Sequence, residues 1–118
     1  MINDYKDLIV WQKSMDLTYE IYKITKFLPS EERFCLIDQM RRAVISVPSN
    51  IAEGYGRSSK NEFSRFLSIA HGSLRELETQ ILICEKLNYI DKQILKNLLS
   101  NISEVGRLLG GLKSKLNK

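Results

Sequence analysis

Apolar side chains recur at three- and four-residue steps along every long segment of this chain, and no segment alternates apolar with polar residues. That period marks helices buried on one face and argues against any sheet architecture. Four such segments are visible. The first covers about residues 6–28 and stops at Pro29, because the residue before proline is pushed out of helical geometry. The second is expected to start after Ser30, with the hydroxyl as cap and Glu31 and Glu32 at the positive end of the helix dipole, and to run to Gly54. Its apolar stripe is Ile37, Met40, Val44, Val47 and Ile51, and Pro48 inside it predicts a kink near residues 44–48.

The stretch Gly54-Tyr55-Gly56-Arg57-Ser58 is the strongest loop signal, with two glycines available for positive φ. Ser59 and Glu62 then form a capping box for a third helix reaching about Asn88. Its buried face is predicted as Phe63, Phe66, Leu67, Ala70, Leu74, Leu77, Ile81, Cys84 and Leu87. Asp91 caps a fourth helix, in which Ile94, Leu98, Ile102, Val105, Leu109, Leu112 and Leu116 keep one seam turned towards neighbouring helices. The expected fold is all-α: an antiparallel up-and-down four-helix bundle forming one domain over residues 1–118, with helix two kinked near Pro48.

The first helix offers more apolar surface than one core requires. Val10, Leu17, Ile21, Ile24 and Leu28 form an aliphatic cluster; Leu8, Trp11, Met15, Tyr19 and Tyr22 form a second, aromatic-rich one, with Ser14, Thr18 and Thr25 between them. Together they span on the order of 200°, whereas a core-facing stripe needs little more than ~100°. Either helix one is gripped on two sides by its own bundle, or Leu8, Trp11, Met15, Tyr19 and Tyr22 pack on another subunit, as those residue types often do. Gly106, Gly110 and Gly111 also weaken the fourth helix by about 1 kcal/mol each relative to alanine. Close approach of another helix, or a frayed C-terminus, would account for them.

The chain is basic, with 18 Lys and Arg against 14 Asp and Glu in 118 residues, and the surplus is local. Residues 1–90 hold 12 of each sign, so the net +4 lies entirely in residues 91–118. Lys92, Lys96, Arg107, Lys115 and Lys118 fall opposite the leucine seam and are candidate contacts to the backbone of RNA or DNA, with little base reading because no aromatics are interleaved. The ordinary alternative is a solvated helix face.

Catalytic and metal chemistry find little support. His71 is the only histidine, so a di-metal bundle built on two Glu-x-x-His pairs is excluded, and no Gly-x-Ser-x-Gly elbow exists. The glycine turn at residues 54–58 lacks a phosphate-loop spacing, no cofactor is expected, and His71 reads as a surface or hydrogen-bonded residue. Cys84 falls on a core stripe; Cys35 is unassigned. No apolar run spans a membrane, the N-terminus lacks a signal-peptide layout, and the two cysteines match no metal or redox spacing and read as reduced thiols, so a cytoplasmic location is expected. In helix two, Gln39, Arg42, Ala43, Ser46, Asn50 and Glu53 form a small polar stripe, with Glu53 a partner for Arg41, Arg42 or Arg57.

The segment running from Gln39 through Arg41, Arg42, Pro48, Asn50 and Glu53 to Gly54 resembles small bacterial four-helix proteins encoded within intervening sequences of large-subunit ribosomal RNA genes. The resemblance extends to Tyr5-Lys6-Asp7-Leu8-Ile9-Val10-Trp11-Gln12-Lys13 and Gly72-Ser73-Leu74-Arg75-Glu76-Leu77-Glu78-Thr79-Gln80. It implies a homopentamer and kinship with the accessory variability determinant of diversity-generating retroelements, a basic pentamer associated with nucleic acid and a reverse transcriptase. It brings no catalytic residues. A protein partner without nucleic acid is the alternative expectation.

Overall fold

Helix boundaries follow from where backbone donors and acceptors find partners. The computed structural model describes residues 3–117 and contains, among them, four α-helices and no strand. Helix α1 spans Ile9–Thr25, α2 Leu36–Tyr55, α3 Lys60–Lys86 and α4 Lys92–Leu116. Asp4 accepts from the Lys6 amide and caps a short 3-10 turn, Tyr5–Asp7, after which Leu8 is extended and α1 begins. Helix one is therefore shorter at both ends than its apolar pattern suggested.

The second expected start also moves. Ser30 caps nothing; it opens a 3-10 turn, Ser30–Glu32, and α2 begins only after Cys35, without a side-chain cap. Ser59 and Asp91 do cap as expected, accepting from the amides of Glu62 at 3.1 Å and Ile94 at 2.8 Å. No described glycine has positive φ; Gly56 ends α2 in right-handed geometry. Among the described residues the one in left-handed geometry is Asn88, φ 64°. Its amide bonds to Glu85 and that of Tyr89 to Cys84, a Schellman closure in which asparagine replaces the usual glycine.

Each helix packs on two others in the cyclic order α1, α2, α3, α4, back to α1. The molecule measures 43 × 25 × 20 Å, and its long axis matches the roughly 40 Å of the 27-residue α3 at 1.5 Å per residue. The core is a column of Val10, Leu17 and Ile21, Met40, Val44 and Ile51, Leu67, Leu74 and Ile81, Leu98, Ile102 and Leu109. Burying each such side chain contributes about 1.5–3 kcal/mol. Leu87, assigned to the core by periodicity, is exposed because α3 has already ended.

Pro48 lies inside an unbroken α2 and leaves the Val44 carbonyl without its helical donor. The Thr18 hydroxyl, bonded mainly to Ser14 at 2.8 Å, approaches that carbonyl at 3.4 Å from α1. Gly54 serves close approach rather than turn formation: a Cβ there would lie 2.7 Å from Phe66 Cβ and 2.9 Å from Phe63 Cδ1. At the opposite end, Tyr89 donates to Glu32 at 2.8 Å and joins the α1–α2 and α3–α4 connections.

Candidate functional site

The outer side of α4 exists because its leucine seam, Leu98, Ile102, Val105 and Leu109, is buried, which turns the opposite arc to solvent. Lys92, Lys96, Arg107 and Lys115 are all exposed there, and among the described residues none joins an ion pair. Arg107 donates to Ser103 one turn back, which holds its guanidinium along the helix. Lys96 and Arg107 lie about 17 Å apart along the axis at 1.5 Å per residue. Lys115 turns towards α1 and shares a groove with Asp7, Leu8 and Arg107. Lys118 lies outside the described residues.

This basic strip has an acidic border. Asp16 and Glu20 of α1 line a cleft with Glu104 of α4, beside Lys13, which pairs with Glu104 at 3.9 Å. Asn101 donates to Glu20 at 2.8 Å and ties the two helices together there. A polyanion meeting α4 would thus be repelled from the stretch of its α1 edge around Glu104.

The aromatic cluster of α1 divides on folding. Leu8, Trp11 and Tyr22 are half-buried, whereas Met15 is 43% and Tyr19 66% exposed. Trp11 stacks edge-on with Tyr5 at 5.3 Å, and both line a groove with Met15, Thr18, Ile45, Pro48, Ser49 and Ala52. Ile45 is 41% exposed beside it. The polar strip Ser14, Thr18 and Thr25 is not a gap between two outward faces: Ser14 and Thr25 are buried, and Thr18 reaches across to α2.

The α2 motif is mostly an inter-helix fastening. Arg41 donates through Nε to Thr25 at 2.9 Å and lies over the Tyr22 ring at 4.5 Å. Asn50 donates to Ser46, whose hydroxyl also accepts from Ser73 of α3 at 2.8 Å. Glu53 pairs with Arg57 at 3.3 Å, one of its three expected partners, while Arg42 pairs with Asp38 at 3.0 Å. Gln39, Arg42 and Glu53 are exposed, so only Ala43, Ser46 and Asn50 of that stripe face the bundle. Cys84 is buried against Met40, its thiol pushed up to about 11 by burial and by Glu32; Cys35 is exposed and free. His71 is held below the ordinary imidazole value, chiefly by burial and then by Arg75 and Lys113. Among the described residues, no group of three or more His, Cys, Asp or Glu is placed to hold a metal ion.

The profile of the 23S rRNA-intervening sequence proteins matches residues 6–111, which takes in all of α1, α2 and α3 and all but the end of α4. The chain belongs to that family. A crystal structure of a Bacteroides thetaiotaomicron protein of unknown function, from the S23 ribosomal protein family, superposes with a TM-score of 0.83 at 25% identity, covering 89% of this chain and 98% of that one. No curated protein matches this member of the family. Among the described residues, no helix is long and apolar enough to cross a membrane.

Two groups in this intervening-sequence protein escaped sequence reasoning. Ile45 joins the α1 groove because it lies on the flank of α2 beside Pro48, Ser49 and Ala52, off the core stripe, a wheel position that helix-by-helix reading leaves unpartnered. His71, Arg75 and Lys113 converge across two helices. Their signal was the four-residue spacing of Gly106 and Gly110, which strips side chains from one edge of α4.

Proposed function

We propose that this protein is a non-enzymatic, homo-oligomeric accessory factor of the cytoplasm that associates with nucleic acid through the outer face of α4. What carries this reading is the exposure of Lys92, Lys96, Arg107 and Lys115 without carboxylate partners among the described residues. Free cations spaced along one helix suit phosphate contact, which sequence does not restrict. The family's description ties it to 23S rRNA intervening sequences, and structured RNA is therefore the first ligand to test. Free Cys35 and Cys84 suit a reducing compartment. The assembly, a pentamer by resemblance, brings the α1–α2 groove of one copy against another, because Met15, Tyr19 and Ile45 are large apolar groups left open. Five chains of net +4 would together carry +20.

Binding to a structured RNA should weaken steeply as salt rises, with each lost phosphate contact lowering the log–log slope by about 0.7–0.9. The double reversal Lys96→Glu and Arg107→Glu should weaken it about tenfold or more at low salt. RNA left unbound at low salt, or bound indifferently to salt and to this reversal, rejects the reading. The second reading is then a scaffold or protein-interaction module that turns the exposed Met15, Tyr19 and Ile45 to a different protein instead of another copy and keeps its lysines for solubility.

A further inference from the structure

On the side of the bundle opposite the Trp11 groove, α3 meets α4 along an edge where α4 presents backbone instead of side chains. Gly106 and Gly110 are four residues apart and so lie on one face of the helix. A Cβ at Gly106 would stand 3.0 Å from Arg75 Nη2 and 3.9 Å from His71 Nε2. Both side chains of α3 therefore lean over this glycine, no farther apart than the sum of those distances, 6.9 Å. Seven residues on from Gly106, Lys113 reaches back to α3 and donates to Ser68 at 2.7 Å. Ser68, His71 and Arg75 occupy one face of α3 at three- and four-residue steps. Between them, Gly110 lies under open space, since a Cβ there meets nothing within 4 Å.

The charge of this cleft suits an anion. Arg75 and Lys113 are close enough to disfavour a proton on His71, and the charges acting on the imidazole come from α3 itself and from α4, not from α2. One carboxylate, Glu78, engages Arg75 at 2.7 Å, and it does so through Nη1, leaving Nη2 on the glycine side. A guanidinium, an ammonium and an imidazole thus approach from different directions on two helices. That arrangement fits a tetrahedral anion with several acceptor oxygens better than a planar carboxylate, which a single arginine would take bidentately.

We propose that the α3–α4 cleft binds a phosphate group, held by Arg75, Lys113 and His71 above Gly106 and Gly110. As an extension of the α4 strip towards α3, it rests on the nucleic-acid reading for its source, a phosphodiester of the polynucleotide; free phosphate is the other source of the same chemistry. An anion between the two cations removes the repulsion felt by a protonated imidazole, so binding strengthens as pH falls.

His71 is the only histidine, and its ring protons report on this cleft alone. A pH titration by NMR in inorganic phosphate should place its pKa about 0.5–1 unit higher than in sodium chloride of equal ionic strength. Lys113→Gln, which keeps a donor for Ser68, should reduce that difference. Gly110→Glu should abolish it, because the new carboxylate fills open space on a helix that glutamate favours, and circular dichroism would verify the fold. The same upward shift with a bound RNA strand assigns the site to the polynucleotide; a shift with inorganic phosphate but not with bound RNA assigns it to free phosphate. Equal pKa values in phosphate and chloride overturn the site, even where RNA binds in a salt-dependent way. Absence of RNA binding overturns the α4 reading instead, and the phosphate titration still decides the cleft.

Discussion

Two glycines in this bundle have opposite meanings for the same substitution. At Gly54 an added methyl group would stand 2.7 Å from Phe66 Cβ, an atom fixed to its own backbone, so α2 and α3 must separate. Overpacking of this kind costs about 1–3 kcal/mol and outweighs the gain of about 1 kcal/mol in helix propensity only where the neighbour cannot yield, as here. At Gly110 the space is open and the propensity gain stands alone. Gly54→Ala should therefore lower the thermal midpoint and Gly110→Ala raise it, a difference in sign that melts followed by circular dichroism read directly. Tyr89 gives a second residue-scale test. Its neutral phenol donates to Glu32, and that bond, with burial and the nearby carboxylates, pushes it from 10.0 up to about 12. A raised folded value means that the contribution is complete below pH 10 and is lost as pH rises through about 12. Ultraviolet titration should show a phenol step near pH 12, and Tyr89→Phe should remove that step and flatten the alkaline loss of stability.

At the scale of the helix, proline is tolerated in α2 because a neighbour covers part of what it removes. The Val44 carbonyl loses its own helical donor and is approached by Thr18 of α1 at 3.4 Å. This pairing predicts coupling: Thr18→Val should cost more when residue 48 is proline than in the Pro48→Ala background, where an amide is restored to Val44. A double-mutant cycle in denaturant should give an interaction of about 0.5–1.5 kcal/mol; additive losses would show that Thr18 serves only Ser14. Helix ends follow a similar logic. Ser59 and Asp91 were legible as caps because each has a free amide three residues on. Ser30 was not, since the chain spends its apparent cap on a 3-10 turn before Cys35.

Across the whole molecule the surface is divided by helix pair. The α1–α2 groove is apolar, the α1–α4 cleft carries Asp16, Glu20 and Glu104, and the α3–α4 edge is basic. Cyclic packing places the apolar and basic regions on opposite sides, so an assembly closed through α1 and α2 would leave its cations outward. Ile45→Glu, at a position 41% exposed and outside the core, should reduce the particle to a 13.7 kDa monomer in light scattering while preserving helicity. An unchanged mass in the variant would place the assembly elsewhere, and a monomeric wild type would reject it.

Periodicity alone determined four helices, most of their buried stripes and the exposure of Lys92, Lys96, Arg107 and Lys115, because each is a property of spacing within one helix; Leu87 fails because α3 has ended before it. Spacing also showed that α1 has apolar residues to spare. What it did not contain is relative position. That Ile45 completes the Trp11 groove, that Glu53 selects Arg57, and that His71 and Arg75 lean over Gly106 while Lys113 reaches back to Ser68 all depend on how α1, α2, α3 and α4 meet. Even the glycines illustrate this: residues that read locally as turn formers are, at Gly54, a requirement of contact with Phe63 and Phe66. A helical period fixes which face a side chain takes, and only tertiary packing decides what that face meets.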